Sequence, residues 1–263
     1  MRYAIGIEYD GSAFLGWQLQ RQEPTVQGEL EKALARVADH ESRITACGRT
    51  DTGVHAVCQV AHFDSDANRS ERSWVLGLNS HLPDGVSVLW VRPVDEGFHA
   101  RFSAFARTYR YRMLNRWIRP ALQHGKASWV REPLDEEAMN QAAQHLLGEH
   151  DFSAFRASAC QATHPVREIQ AIEVRREADV VTLDVTANAF LYHMVRNIAG
   201  SLIRVGVGEQ RPSWLPELLE SRDRNKAAPT ARPDGLYFVR ARFPAEFDLP
   251  SRAPAFPRGK GLS

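Results

Sequence analysis

Between Tyr3 and Val94 the apolar residues change their spacing four times, and this switching of period constrains the fold more than any other property of the chain. Tyr3, Ile5, Ile7 and Tyr9 alternate with Ala4, Gly6 and Glu8, the pattern of a strand with one face packed. Asp10-Gly11 then signals a turn. Thr25 is placed to cap a helix whose apolar stripe is Val26, Leu30, Leu34 and Val37, at spacings of three and four. The spacing predicts a strand over 57–63 and a second helix over 68–82, with Val75, Leu78 and Leu82 on one side. After the turn Pro83-Asp84-Gly85 it predicts a strand from Val86 to Val94. Strands and helices alternating on this scale imply an α+β layer.

A second half follows the same logic. Asp135 reads as an N-cap, with Leu134 and Met139 stapling the helix start and Gly148 ending it after Leu146-Leu147. Residues 169–176, the turn Glu177-Ala178-Asp179 and residues 180–186 make a hairpin that buries Val181, Leu183 and Val185. Residues 190–205 read as a helix, apolar at Leu191, Met194, Ile198, Leu202 and Val205, whose other face carries His193, Arg196, Asn197, Gly200 and Arg204. A last strand is expected over 236–243. The chain therefore divides into an N-terminal α+β domain over 1–104, a C-terminal α+β domain over 105–246, and a flexible, proline-containing tail over 247–263. No internal sequence repeat is strong enough to establish a duplication.

Composition excludes several classes. A chain of 263 residues with 43% hydrophobic and 25% charged residues can bury a sizeable core and has a soluble, globular profile. No apolar run approaches the roughly 20 residues that span a bilayer. The first residues enter strand alternation directly, without the apolar core of a signal peptide, so a cytoplasmic location is expected. Cys47, Cys58 and Cys160 form no C-x-x-C pair, and the ten histidines show no ligand spacing, so no metal is expected. The formal net charge is only +1, which leaves distribution to decide the partner.

Two stretches carry chemistry. Gly48-Arg49-Thr50-Asp51-Thr52-Gly53-Val54-His55 sets one carboxylate among hydroxyls and a fixed cation, with Gly48 and Gly53 allowing tight turns on both sides. An ordinary surface turn is the alternative. From Arg101 to Arg119, six arginines occur without an acidic residue and are interleaved with Phe102, Phe105, Tyr109, Tyr111 and Trp117. Cations beside stackable rings suit phosphates and unstacked bases. An edge strand blunted by arginines is the competing explanation.

Four segments in order, Gly48 to His55, Arg107-Thr108-Tyr109-Arg110-Tyr111, His150-Asp151-Phe152-Ser153-Ala154-Phe155-Arg156, and Asn188-Ala189-Phe190-Leu191-Tyr192-His193-Met194-Val195-Arg196-Asn197, resemble the tRNA pseudouridine synthase A (TruA) family. The likeness runs from Ile5 to about Phe243; Thr52, where the family often has Ala, is one departure and bears only on loop detail. The resemblance implies isomerisation of uridine to pseudouridine in the anticodon stem-loop of tRNA, with no cofactor and no metal. It implies a homodimer in which one tRNA touches both subunits. The fold it implies is α+β: two similar domains sharing a mixed, mainly antiparallel sheet, helices packed on one side, and an active-site cleft between the domains.

Carried over by motif, Asp51 is the nucleophile or base, Tyr109 stacks on the target base, Arg196 pairs with Asp51, and Arg49 supports base flipping. Each role has a physical reason. A uridine must leave the stack before its glycosidic bond is broken, at a cost of a few kcal/mol that an inserted cation partly offsets. Tyr109 offers a π-face worth about 1–3 kcal/mol of stacking. A reacting Asp must be ionised, and a permanently charged Arg196 offsets its desolvation. Left to itself, Arg196 would read as part of a solvated helix face. Two further matches, Phe98-His99-Ala100-Arg101-Phe102 and Ala159-Cys160-Gln161-Ala162-Thr163, are implied as RNA surface. Cys160 is expected to be a packed or lining residue, with only the more distant Arg156 to lower its pKa. The rival classes are a tRNA-binding protein without chemistry, for which Asp51 facing phosphates is unhelpful, and a glycoside hydrolase, which normally needs a second acid roughly 5–10 Å away.

Overall fold

The computed structural model describes residues 1–21 and 23–250. The chain forms two compact units, Met1–Phe105 together with the chain from Arg240, and Ala106–Val239.

In the first unit, β1 (Arg2–Tyr9) is paired antiparallel with β3 (His55–Asp64) on one side and β4 (Val86–Val94) on the other. The short β2 (Thr45–Ala46) pairs antiparallel with β3, Thr45 opposite His62. As an interior strand β1 is covered on both faces: Ala4 is as buried as Ile5. The one-sided packing expected from its alternation is therefore corrected, because alanine and glycine on the second face admit close neighbours. The helix α1 (Val26–Ala38) starts where Thr25 accepts a hydrogen bond from the Gly28 N–H, and buries Val26, Leu30, Leu34 and Val37. The second helix, α2 (Glu71–Asn79), is shorter than the expected 68–82, since Ser70 caps it and binds the Ser73 N–H. Its buried residues are Trp74 and Leu78, with Val75 only half-buried. Trp74 lies against Phe63 and Tyr3 at ring distances of 5.3 and 5.5 Å.

In the second unit, β5 (Ala106–Asn115) pairs antiparallel with β9 (Val180–Ala187), which forms a hairpin with β8 (Val166–Glu177); β7 (Gly148–Asp151) closes that side. The other neighbour of β5 is β10 (Leu236–Arg242), and β6 (Ser128–Val130) pairs parallel with its end, so the sheet is mixed but mainly antiparallel. Val181, Leu183 and Val185 of β9 are buried. The helix α3 (Glu136–Gln144) is capped by Asp135, which accepts from the Ala138 N–H, and packs on β8. It ends at Gln144, ahead of the expected Gly148, which at φ +91° opens β7 instead. The helices α4 (Met194–Gly206) and α5 (Trp214–Ser221) complete the unit. Expected from residue 190, α4 begins only at Met194 because His193 takes a left-handed φ of 60°.

Strand β10 crosses the division, belonging with the second unit through Val239 and with the first from Arg240. The expected assignment of all of 105–246 to one domain is corrected accordingly. The reason is aromatic packing: Phe243 and Phe247 lie 5.4 and 5.0 Å from the buried Phe98. Phe247, the start of the expected flexible tail, is thus packed; residues 251–263 lie outside the described residues. Among the described residues no helix is long and apolar enough to cross a membrane, and no group of three or more His, Cys, Asp or Glu is placed to hold a metal ion.

Candidate active site and RNA-facing loops

The carboxylate of Asp51 sits in the loop that joins the paired strands β2 and β3, and the loop is fixed from both ends. On the incoming side the Cys47 N–H donates to the Val60 carbonyl at 2.7 Å, and the buried Gln59 amide donates to the Gly48 carbonyl at 2.8 Å. Gly48 is not at positive φ, contrary to the expected pair of glycine hinges; only Gly53, at φ +78°, turns in that region.

Thr50 points inward and is clamped. Its hydroxyl meets the Tyr9 phenol at 2.7 Å, and its carbonyl accepts the Trp17 N–H at 3.0 Å. Burial holds the Tyr9 phenol well above its ordinary pKa, so it stays neutral. The Asp51 carbonyl accepts from the Val54 N–H at 3.1 Å, closing a turn over Thr52-Gly53. The chain then locks again where the Gly11 N–H donates to His55 Nδ1 at 3.1 Å. Gly16, at φ +85°, lets the segment before α1 lie against the loop: a Cβ there would sit 2.7 Å from the Thr50 carbonyl oxygen. The result is an inward Thr50, a half-buried Asp51, and an exposed Arg49 and Thr52. A turn of merely local origin does not need this many long-range anchors.

The second expected RNA segment of this unit divides. Phe98 and Ala100 are fully buried and belong to the core, which corrects their assignment to the RNA surface. His99, Arg101 and Phe102 remain. His99 Nδ1 accepts from the N–H groups of Arg101 and Phe102 at 3.2 and 3.3 Å, and its ring lies 4.3 Å from that of Phe102, which is 74% exposed. The Arg101 guanidinium stands 5.6 Å from the Phe102 ring centre. His62 on β3 holds this turn by accepting the Ala100 N–H at 3.2 Å. Burial, with His99 and Arg2 nearby, pushes the His62 pKa down to about 4, so it is a neutral acceptor at physiological pH. Arg2 adds hydrogen bonds to the carbonyls of Glu96 and Phe98 at 2.6 and 2.9 Å.

In the second unit, Tyr109 lies on β5 opposite Val185, held edge-on between Phe190 at 5.0 Å and Phe238 at 5.2 Å, and half-buried. Since β5 has a partner on each side, an arginine-blunted edge strand is ruled out. The expected basic and aromatic strip also shrinks. Tyr111 is fully buried and donates to the Arg232 carbonyl at 2.8 Å, burial pushing its pKa up to about 12. Arg110 makes a bidentate pair with Asp184 at 2.7 and 3.0 Å, which Arg175 joins, and Arg107 donates to the Asn188 carbonyl at 2.8 Å.

Arg196 is presented by the first turns of α4, and its face is covered rather than solvated. Its Nε donates to the Ala231 carbonyl at 2.8 Å while the Ala231 N–H returns a bond to its own carbonyl at 3.1 Å. The neighbouring Asn197, fully buried, donates to the Phe155 carbonyl and accepts from Thr230 and Arg224. The guanidinium is thereby aimed by its backbone contacts and stays half-buried. The loop 159–163 is held beside the residues that precede α4: Arg156 donates to the carbonyls of Cys160 and Ala162 at 3.0 and 2.7 Å, and the Tyr192 N–H points at Cys160 Sγ at 3.4 Å. Ala159, Gln161 and Thr163 are exposed, Cys160 and Ala162 half-buried. Partial burial raises the Cys160 thiol pKa, but the N–H groups of Tyr192 and Ala162, with Arg156, outweigh it and bring the thiol below its ordinary range. Backbone donors invisible in the sequence thus correct the expectation that only Arg156 acts on it.

The comparisons with known proteins place the chain among RNA-modifying enzymes. A family model described as tRNA pseudouridine synthase matches residues 5–103 and 142–244. The chain belongs to that family, whose members isomerise uridine to pseudouridine in tRNA. It is 59% identical over 251 residues to the tRNA pseudouridine synthase A of Xylella fastidiosa (strain M23), covering 95% of this chain and 98% of that one. With the tRNA pseudouridine synthase A of Xanthomonas euvesicatoria pv. vesicatoria (strain 85-10) it shares 56% over 253 residues, again 95% and 98% of the two chains.

Tyr9, Gln59 and His62 are the residues that sequence reasoning missed. Tyr9 and His62 sit in strand patterns that read as packing alone; only the fold shows their polar atoms reaching the 48–55 and 98–102 loops, as the Gln59 amide also does.

Proposed function

We propose that this isomerase acts on uridines of the tRNA anticodon stem-loop, with Asp51 as its nucleophile or base. The clamping of the Asp51 loop carries the reading: its neighbours are immobilised through Thr50 and His55, while Asp51 itself is left half-accessible beside an exposed Arg49. Preorganisation of this kind is what a reacting group requires.

The reaction exchanges the N1–C1′ bond of uridine for a C5–C1′ bond. C5 gives up its proton and N1 acquires one, so atoms and electrons balance without a co-reactant. The ring must detach and turn over, which cannot happen inside a helical stack. Arg49 enters the space the base vacates and offsets part of the unstacking cost. Tyr109, braced by Phe190 and Phe238, stacks on the extruded uracil. The resemblance assigns Arg196 as the charge partner of Asp51, and its fixing by Ala231 suits a group that must not follow solvent. His99, Arg101 and Phe102, with the loop 159–163, contact the RNA around the target. Two copies of the chain act together in the cytoplasm, one tRNA touching both.

The test is to incubate a full-length tRNA transcript with the protein and locate pseudouridine by chemical mapping and mass spectrometry. Product confined to the anticodon arm, and abolished when the uridines of that arm are replaced by cytidine, is the expected result. Product in another arm overturns the stem-loop assignment.

A further inference from the structure

No acidic residue occurs between Glu96 and Glu132. Most cations of β5 are engaged within their own unit, by the Asn188 carbonyl, by Asp184 and, for Arg112, by the Tyr237 ring at 5.9 Å. The loop from Arg116 to β6 is different. Trp117 is 68% exposed, and the Arg131 guanidinium lies 3.8 Å from its ring centre. The exposed Arg116 and Arg119 flank it. This segment lies between the two stretches that the family model matches.

The loop is braced. The Trp129 indole donates to the Arg116 carbonyl at 2.8 Å, and Arg116 Nε to the Ile118 carbonyl at 3.0 Å. Asn115 donates to the carbonyls of Val130 and Glu132 at 3.1 and 2.7 Å, and the Tyr237 phenol to that of Lys126 at 2.6 Å. A solvent-exposed indole with a guanidinium already on its ring, held on a hydrogen-bonded base, has its ordering cost met before any partner arrives.

We propose that the loop 116–131 is a second RNA-contact surface, which grips the tRNA outside the target stem-loop. Trp117 supplies the stacking face, and Arg116, Arg119 and Arg131 the phosphate contacts. The proposal rests on tRNA as the substrate. Charge decides the occupant: Arg116 and Arg119 flank Trp117, Arg131 lies on its ring, and no acidic residue lies within 116–131. A polyanion meets the same patch favourably. The exposed Ile118 and Leu122 are what a second copy would cover instead, so oligomeric state belongs in the test.

The experiment measures KM, kcat and the salt dependence of full-length tRNA binding for Trp117→Ala and, separately, Arg119→Gln, with melting temperature and light-scattering mass for each. The expected result is a KM raised roughly tenfold in Trp117→Ala, comparable to the loss of one stacked base, with kcat unchanged. For Arg119→Gln the slope of log affinity against log salt should fall by about one. Unchanged KM and slope overturn the proposal. So does a fall in kcat and melting temperature together in Arg119→Gln, or a change of mass from dimer to monomer, which would assign the surface to a second copy. Failure of the wild type to form pseudouridine in tRNA would instead remove the substrate reading beneath it.

Discussion

The Tyr9 phenol and the Thr50 hydroxyl share a buried hydrogen bond of 2.7 Å, which ties the end of β1 to the residue immediately before Asp51. Tyr9→Phe removes it and leaves the Thr50 hydroxyl buried without that partner, at a cost of about 1–3 kcal/mol. Turnover should fall several-fold while tRNA affinity holds, because the loop is loosened rather than its RNA contacts removed. Denaturant unfolding and steady-state kinetics check the two halves. Unchanged stability and kcat would mean that Thr50 is not held through Tyr9.

Gly16→Ala should slow the reaction through the same loop. The residue has φ +85°, and a Cβ would stand 2.7 Å from the Thr50 carbonyl oxygen. Gly208→Ala is the comparison, since its φ is +80° but nothing lies within 4 Å of the added carbon. Both variants carry the backbone strain of about 1 kcal/mol. Only Gly16→Ala should also lose kcat, and equal kcat in the two would contradict the contact with the Asp51 loop.

Phe98 and Phe102 should part company. Phe98 is fully buried on Phe243 and Phe247, so Phe98→Ala should cost about 3–5 kcal/mol. Phe102 is 74% exposed, so Phe102→Ala should leave stability within about 0.5 kcal/mol and weaken tRNA binding. Thermal unfolding with gel-shift titration separates them; a stability loss at Phe102 of the size found at Phe98 would count against an RNA-facing role.

Acid should loosen the 98–102 turn. The folded pKa of His62 is about 4, below the ordinary value near 6.5 of an unfolded histidine. The neutral ring therefore stabilises the fold fully above about pH 6.5, and that contribution is lost as pH falls from there toward 4. His99 is shifted the same way by burial and Arg2 and adds to the slope in the same window. Asp64, lowered by its hydrogen bond to Arg2, acts only at more acid pH. Urea unfolding at pH 7, 5.5 and 4.5 should show a decline that His62→Gln flattens. An identical decline in the variant would assign the effect elsewhere.

What could be read from the sequence was whatever depends on neighbours along the chain. The caps at Thr25 and Asp135, the stripe of α1 and the buried residues of β9 follow from local spacing, and the structure has them. The Asp51 loop was legible because its residue types are concentrated in eight positions. Tertiary packing decided the rest. Trp74 was missed because its burial comes from Tyr3 and Phe63 on other elements, which cover that face of α2. Phe98 and Ala100 read as exposed until Phe243 and Phe247, far along the chain, covered Phe98. The arginines of β5 resembled an RNA groove because Asp184, Arg110's partner, lies on another strand. His193, at φ 60°, delays α4 in a way its apolar periodicity does not signal.

The role of Asp51 is tested by pseudouridine formation in Asp51→Ala, followed by mass spectrometry under single-turnover conditions with a gel shift of the same tRNA. No detectable product, with binding within a few-fold of wild type, is the expected result. Product formed at a wild-type rate would contradict the assignment of the chemistry to Asp51, and loss of binding together with turnover would make Asp51 a structural or RNA-contact residue instead.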